Sequence, residues 1–376
     1  MRKINKTKGL ALVTGGAGFI GSHLTDALLD SGYRVRVLDN LVKPTHSGKL
    51  PEWFNKKAEF IKGDVRHKKD LMKAMTQVNY IFHLAAHMDY HLDFSTYFLT
   101  NAASTARLYE IILEQSLPVK KIVLASSQSV YGEGKYKCPR HSVLYLAPRS
   151  QEQLKKRQWE MICPQDGIRM QPVAEKEDDI ALPQIPYGVS KIAAERVAVL
   201  LGKIYKVPTS IARFSIVQGV RQSFRNFYSG ALRAFSVQAL SGEPLSIHED
   251  GRQIRDFINI KDTVSALIKI LEDQRADYEA FNVGSGKPTT VLDLAKLVSA
   301  AAQVKYNPLI GGLYRLNAPR HQLMDISKLK KLGWQPKYSL RDNVFEYLTW
   351  VKQYPEAKKF LKQSKGLLEQ QKIVLG

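Results

Sequence analysis

The segment Thr14-Gly-Gly-Ala-Gly-Phe-Ile-Gly21 follows the apolar run Leu10-Ala-Leu-Val13 and opens the helix-like stretch FIGSHLTDALLDSG. Glycines at 15, 18 and 21 let bare backbone approach a pyrophosphate, which the positive end of the following helix stabilises. A glycine triplet alone says little. Here the next strand, YRVRVLD, ends on Asp39, 18 residues beyond Gly21. Strand, turn, helix and strand within about 30 residues make a βαβ unit of the dinucleotide-binding kind. Asp39 is placed to accept hydrogen bonds from both hydroxyls of an adenine ribose and to repel a 2′-phosphate, which predicts NAD over NADP. Arg34 and Arg36 temper that preference. Asp64, in Gly63-Asp-Val-Arg66, stands at a later strand end, where it either meets an adenine edge or caps a helix.

The alternation continues through AEFIKGD, a helix over Lys69 to Met75, YIFHLAA, a helix from about Ala102 to Gln115, and KIVLASS. Short apolar strands separated by helices predict an α/β fold of the Rossmann type, a doubly wound parallel sheet covered on both faces. Between Tyr131 and Tyr187 the rhythm breaks into a segment rich in Pro, Arg, Lys and Gln. The expected layout is a dinucleotide-binding domain over residues 7–218, with an insertion at about 133–183 and its sheet completed by about 256–285. Residues 219–255 and 286–350 then form a smaller C-terminal substrate-binding lobe. The remaining 351–376 is a basic, weakly amphipathic tail that either packs on the body or lies on an anionic surface.

Fifty-six Lys and Arg against 35 Asp and Glu give a net charge of +21. Such a surface attracts polyanions without choosing among them. The basic residues fall in short scattered clusters such as Lys155-Lys156-Arg157, which read as solvated helix faces. No apolar run approaches the roughly 20 residues of a membrane span, and the start, MRKINKTKG, lacks the apolar core of a secretion signal. With two cysteines, Cys138 and Cys163, a disulfide scaffold is excluded. The expected location is the cytoplasm.

Tyr187-Gly-Val-Ser-Lys191 places a phenol and an ammonium four residues apart on one helix face. A neighbouring ammonium favours the phenolate, so Lys191 is expected to lower the Tyr187 pKa while also holding a nicotinamide ribose hydroxyl. Ser127, in ASSQSVYG at a strand end, is placed to orient a substrate oxygen.

These motifs in this order, from TGGAGFIG through GDVR, HLAA, SSQSVYG, YGVSK and RDFINIKD to FNVGSG and DISKLKKLGW, resemble the extended short-chain dehydrogenase/reductases, the NAD-dependent nucleotide-sugar epimerases and dehydratases. The resemblance implies a catalytic set of Ser127, Tyr187 and Lys191. It implies NAD held by Gly15, Gly18, Phe19, Ile20 and Gly21, by Asp39, Asn40, Asp64 and Val65, and by Leu84, Ala85 and Ala86, with Tyr187 and Lys191 at the nicotinamide end. On the substrate side it points to Asn101, Gln128, Ser129 and Asn226, and to Arg255 and Arg315 as arginines on the diphosphate of a nucleoside-diphosphate sugar. A homodimer joined through the helices around 102–115 and 188–204 is also implied, with no specific nucleic-acid partner and no membrane insertion.

Dehydratases of this family carry an Asp-Glu pair directly after the catalytic Ser or Thr, whereas this chain has Gln128 and Ser129. The chemistry left to Tyr187 is reversible oxidation at C4, a 4-epimerisation through a transient 4-keto sugar. The sequence departs from the family at Arg213-Phe-Ser-Ile216, where an Arg-x-x-Asn is usual, and at Asn317-Ala318, where Gly-Asp usually follows the late arginine. The alternatives are a 4,6-dehydratase, decarboxylase or reductase of the same family, or a non-catalytic polyanion-binding protein on the same fold.

Both cysteines lie in the insertion, opening Cys138-Pro-Arg-His141 and Cys163-Pro-Gln-Asp166. Two thiolates, an imidazole and a carboxylate are able to hold a tetrahedral Zn²⁺; otherwise these are ordinary thiols in a surface excursion. His83 reads as a packed core histidine. His46, His67, His87, Asp89 and His91 form no ligand spacing, although the segment from His87 to His91 is expected to pass near the sugar.

Overall fold

The computed structural model describes residues 7–43, 45–88, 92–226, 230–370 and 374–375. Seven strands make one fully parallel sheet. Across it they run Ala280–Val283, Thr209–Phe214, Lys121–Ser127, Tyr80–His83, Leu10–Thr14, Arg34–Asp39 and Glu59–Lys62. The chain starts in the middle, winds to one edge, and returns to wind to the other. The switch falls between Leu10–Thr14 and Tyr80–His83, and the crevice beyond the strand ends there is where such sheets take ligands.

Strand alternation builds a core on each face. Ala11, Val13, Val123 and Ala125 pack with Leu24 and Leu28 of the helix Phe19–Asp30 and with Val264 and Leu267 of the helix Ile260–Glu272. Leu10, Leu12, Ile122 and Leu124 pack with Leu71, Leu108, Ile112, Ala194 and Ala198 on the opposite side. A third core, around Phe224, Phe235, Leu294, Tyr347 and Trp350, belongs to the C-terminal part. There the helix Val291–Ala302 starts on a Thr290–Asp293 capping box.

Of the 256–285 stretch, only Ala280–Val283 joins the large sheet; Phe257–Asn259 pairs instead with Ile216–Gln218. The helix expected from about Ala102 is α-helical over Ser104–Glu114, and it is preceded by a π-helical turn, Phe98–Ala103, and a short helix, Phe94–Tyr97. The insertion folds on its own small core of Tyr136, Cys138, Met161, Cys163 and Met170. Lys135–Lys137 is the central strand of a three-stranded antiparallel sheet, flanked by Val143–Tyr145 and Gln171–Val173. The late helix Ala357–Gln370 places Ala357 and Leu361 in the third core, so this part of the basic tail packs on the body. Among the described residues no helix is long and apolar enough to cross a membrane.

Candidate active site

The glycine turn is fixed by backbone geometry. Gly15 has φ +69°, and its N–H donates to Leu38 O at 2.8 Å. A Cβ on Gly21 would come 2.2 Å from the Gly15 carbonyl oxygen, so the helix starts as close to the turn as backbone allows. That helix begins at Gly18 without a side-chain cap, leaving its first amides for an anion. Asp39 sits buried at the end of its strand and accepts from Ala17 N at 3.0 Å and Leu41 N at 2.8 Å. Bare backbone at a helix start beside a buried carboxylate fits the pyrophosphate and ribose of NAD. Arg36 is held elsewhere, on Glu59 and the carbonyls of Ala74 and Thr76.

Asp64 does not cap the helix Lys68–Met75, whose first flanking residue is His67. Its carboxylate closes the preceding turn on Arg66 N at 2.8 Å and takes the Arg66 guanidinium through two bonds, with Asn40 Nδ2 at 3.0 Å. Burial pushes the group up, but the hydrogen bonds from Arg66 and Asn40 outweigh it and hold the pKa at about 2. His83 is a core histidine, as expected: Nδ1 meets Thr14 Oγ1 at 2.9 Å, Nε2 meets Ser104 Oγ at 2.8 Å, and burial drives it down to about 3.

Pro186 occupies the first turn of the helix Pro186–Ile204, where a missing N–H does no harm. Gly188 lets this helix press on the turn after Ser127; a Cβ there would lie 2.5 Å from Ser129 O. The packing brings Tyr187, Ser127 and Lys191 together. Tyr187 and Ser127 line the same cleft, and Ser127 Oγ accepts from Ser129 N at 3.1 Å. Lys191 Nζ donates to Ala125 O at 2.9 Å and lies 5.9 Å from the centre of the Tyr187 ring.

The expected depression of Tyr187 is not found in the protein alone. Burial pushes the phenol up to about 12, with the Ser127 side chain opposing. Lys191 is itself buried and pushed down to about 8, against the pull of Glu195. Desolvation outweighs the neighbouring ammonium because the ammonium is directed at a carbonyl.

One cleft of about 910 Å³ gathers the predicted site residues, from the glycine turn, Asp39 and Asp64 through Ser127, Tyr187 and Lys191 to Asn226, Arg255 and Arg315. Asn101 is the exception and a correction. It is fully buried, and its amide joins the His87 backbone, at 2.9 and 3.1 Å, to Ser190 Oγ at 2.9 Å. It braces the loop against the helix and does not line the cleft. His87 and Met88 line the cleft, while residues 89–91 lie outside the described residues.

Gln128 Oε1 and Gln184 Oε1 are buried at the cleft and accept no hydrogen bond among the described residues. Acceptors of this kind suit hydroxyl donors. The Arg255 guanidinium rests on the carbonyls of Ile254, Pro319 and Arg320, and burial lowers it to about 10. Sequence reasoning missed Gln184, His46 and Arg233, which reach the cleft from separate loops and a helix and carry no motif. His46 Nε2 stands 3.8 Å from Asp39. In the insertion, the four candidate ligand atoms of Cys138, His141, Cys163 and Asp166 all lie within 4.8 Å of one another.

The sheet, the glycine turn and the Tyr-x-x-x-Lys helix define a short-chain dehydrogenase/reductase-type enzyme. The chain belongs to the NAD dependent epimerase/dehydratase family, whose model matches residues 11–165 and 165–284. It is 33% identical over 349 residues to the dTDP-L-rhamnose 4-epimerase of Burkholderia thailandensis, covering 91% of this chain and 94% of that one. Among solved structures it is similar to UDP-glucuronic acid 4-epimerase from Bacillus cereus in complex with UDP-glucuronic acid and NAD, at 27% identity and a TM-score of 0.73. That match covers 92% of this chain and 99% of the other. It is also similar to UDP-glucose 4-epimerase with UDP-glucose from Thermotoga maritima, at 27% identity, a TM-score of 0.72, and the same coverage of 92% and 99%.

Proposed function

We propose that the protein epimerises a nucleoside-diphosphate sugar at C4, using NAD and a transient 4-keto sugar. The observation that carries this reading is the grouping at the cleft: the buried Tyr187 phenol with Ser127, Lys191 one turn on, and Gln128 and Ser129 where dehydratases place carboxylates. When bound, NAD supplies the hydride acceptor and donor, and its cationic nicotinamide acts with Lys191 to favour the phenolate. Tyr187 takes the proton from O4 and later returns it, while the Ser127 hydroxyl orients that oxygen. With neither an acid nor a base beside Ser127, nothing expels the C6 hydroxyl.

Gly15, Gly18 and Gly21 hold the pyrophosphate, Asp39 the adenine ribose, and Asp64 with Asn40 borders the adenine. Phe19, Ile20, Val65, Leu84, Ala85 and Ala86 complete the apolar walls of the cofactor site. Arg255 and Arg315 hold the diphosphate of the sugar nucleotide, with Asn226, Gln128 and Ser129 on its polar groups. The protein acts in the cytoplasm as a homodimer. Support for the dimer is the exposure of Phe98, Leu99 and Leu113 around one helix and of Val189, Leu200 and Ile204 on its packed neighbour.

Incubation with UDP- and dTDP-hexoses, followed by NMR of the products, tests the reading. Inversion at C4 with no net change in cofactor redox state supports it. Loss of water or of CO₂ from the substrate contradicts it.

A further inference from the structure

The insertion contains a tight hairpin. Ile162 and Arg169 form an antiparallel bridge, Cys163 N donates to Ile168 O at 2.8 Å, and Gly167, at φ +71°, turns the chain back to donate to Cys163 O. Asp166 Oδ1 accepts from Ile168 N at 3.0 Å, which aims Oδ2 inward. Across from this tip stand Cys138 and His141. Cys138 Sγ to His141 Nδ1 is 3.3 Å, Cys163 Sγ to His141 Nδ1 is 3.4 Å, Cys138 Sγ to Asp166 Oδ2 is 3.8 Å, and His141 Nδ1 to Asp166 Oδ2 is 3.6 Å.

Tetrahedral zinc with ordinary Zn–S, Zn–N and Zn–O bonds puts its ligand atoms about 3.3–3.8 Å apart. Four of the six separations fall in that range, and all six lie within 4.8 Å. Both cysteines are buried free thiols, whereas His141 and Asp166 remain partly open to solvent, which gives an entry path. Two soft thiolates in a small N,O-completed tetrahedron select zinc over hard cations. Arg140 stands near Asp166 and offsets the net negative charge of two thiolates, one carboxylate and a divalent ion. We infer that Cys138, His141, Cys163 and Asp166 bind one structural Zn²⁺ with no open coordination position.

The site has a mechanical connection to the cleft. Tyr136, two residues before Cys138, donates to Glu133 at 2.7 Å and accepts from His321 N at 3.3 Å. Glu160, three residues before Cys163, holds the Arg320 guanidinium at 2.7 Å and His321 Nε2 at 3.2 Å. The carbonyls of Pro319 and Arg320 carry Arg255. Zinc therefore fixes the two segments that hold Arg320 and His321, and through them it positions Arg255. This second step rests on the proposed role of Arg255 at the diphosphate; the metal site does not.

The test is metal analysis of the full-length, tag-free protein produced with zinc in the medium. About one equivalent of zinc per chain is expected for a single four-ligand site. Less than about one-tenth equivalent, with no uptake of added zinc chloride, overturns it. Because Cys163→Ser disrupts the small core as well, Asp166 supplies the milder variants. Asp166→Ala should release zinc to a chelator roughly tenfold faster, and Asp166→Cys should release it more slowly than the parent. Equal rates for all three overturn Asp166 as a ligand. Substitution with Co²⁺ should give the visible bands of a tetrahedral thiolate site, and an octahedral spectrum contradicts the assignment. Zinc removal should weaken UDP binding severalfold while bound NAD is retained; unchanged UDP affinity in zinc-free protein overturns the connection to Arg255. The zinc count is read without any substrate, so it fails or succeeds independently of the proposed reaction.

Discussion

Arg213 and Glu195 form a buried ion pair directly behind the proposed catalytic helix face, with Nη2 to Oε2 at 2.7 Å and Nε within 3.0 and 3.2 Å of the two carboxylate oxygens. Their side chains are 7% and 5% exposed, and Glu195 lies one turn beyond Lys191. Ser126 also donates to Glu195, and Arg213 reaches Tyr131 Oη at 2.9 Å. The pair ties the helix Pro186–Ile204 to the strand Thr209–Phe214. Removing one partner leaves the other charge buried alone, so Arg213→Met should lose about 3–5 kcal/mol of folding stability in chemical denaturation. Arg213→Met combined with Glu195→Met should recover most of the loss. A double variant as weak as the single would show that the charges do not act as a pair.

Gly21→Ala should loosen the cofactor without unfolding the chain. The added methyl meets the Gly15 carbonyl oxygen at 2.2 Å, so the turn must open where the pyrophosphate is proposed to sit. Strain of about 1–3 kcal/mol corresponds to a rise of roughly 5- to 150-fold in the NAD dissociation constant. Isothermal titration with NAD reads this directly, and an unchanged constant removes the glycine turn from the cofactor site.

Glu175 makes stability depend on pH. Burial, with Asp179 adding to it, pushes this carboxyl up to about 8 from 4.5, against backbone hydrogen bonds. The folded chain therefore keeps a proton that the unfolded chain releases. The contribution is complete below the unfolded value and is lost as pH rises through the folded one. Glu175→Gln carries no such proton. Its Tm should match the parent below the ordinary carboxyl value of 4.5, exceed it by a margin that grows from there up to about pH 8, and keep that margin above. A constant difference across pH would place the titrating group elsewhere.

The proposed pairing of two chains is open to test by a surface substitution. Leu200 and Ile204 are 59% and 58% exposed on the helix Pro186–Ile204. Leu200→Glu with Ile204→Glu should shift the protein from dimer to monomer in sedimentation, because like charges cannot be buried against each other. A dimer that persists uses another face.

The glycine turn, Asp39, Ser127 and the Tyr187–Lys191 spacing were legible in sequence because each is a local constraint: a backbone that tolerates no Cβ, a strand end, or one helical turn. Cys138, His141, Cys163 and Asp166 were legible for the same reason, as two short matched spacings. Asn101 was misread. Its place on a π-helical turn directs the amide at His87 and Ser190, and nothing in the neighbouring residues marks a π-turn. Arg320 had no signal either. It is fully buried, yet its partners Glu160 and Glu249 are 160 and 71 residues away, and only the packed insertion joins them. The elevated Tyr187 belongs to the same class, since desolvation depends on every segment that closes over the ring.

Transfer of hydrogen at C4 is the most direct test of the account. A sugar nucleotide accepted as substrate, labelled with deuterium at C4, is incubated in ordinary water and its epimer examined by NMR and mass spectrometry. The account predicts that the epimer keeps its deuterium at C4. It also predicts that Tyr187→Phe slows the turnover by roughly 10²–10⁴-fold. Deuterium lost to solvent, or a Tyr187→Phe variant that turns over at the parental rate, would contradict it.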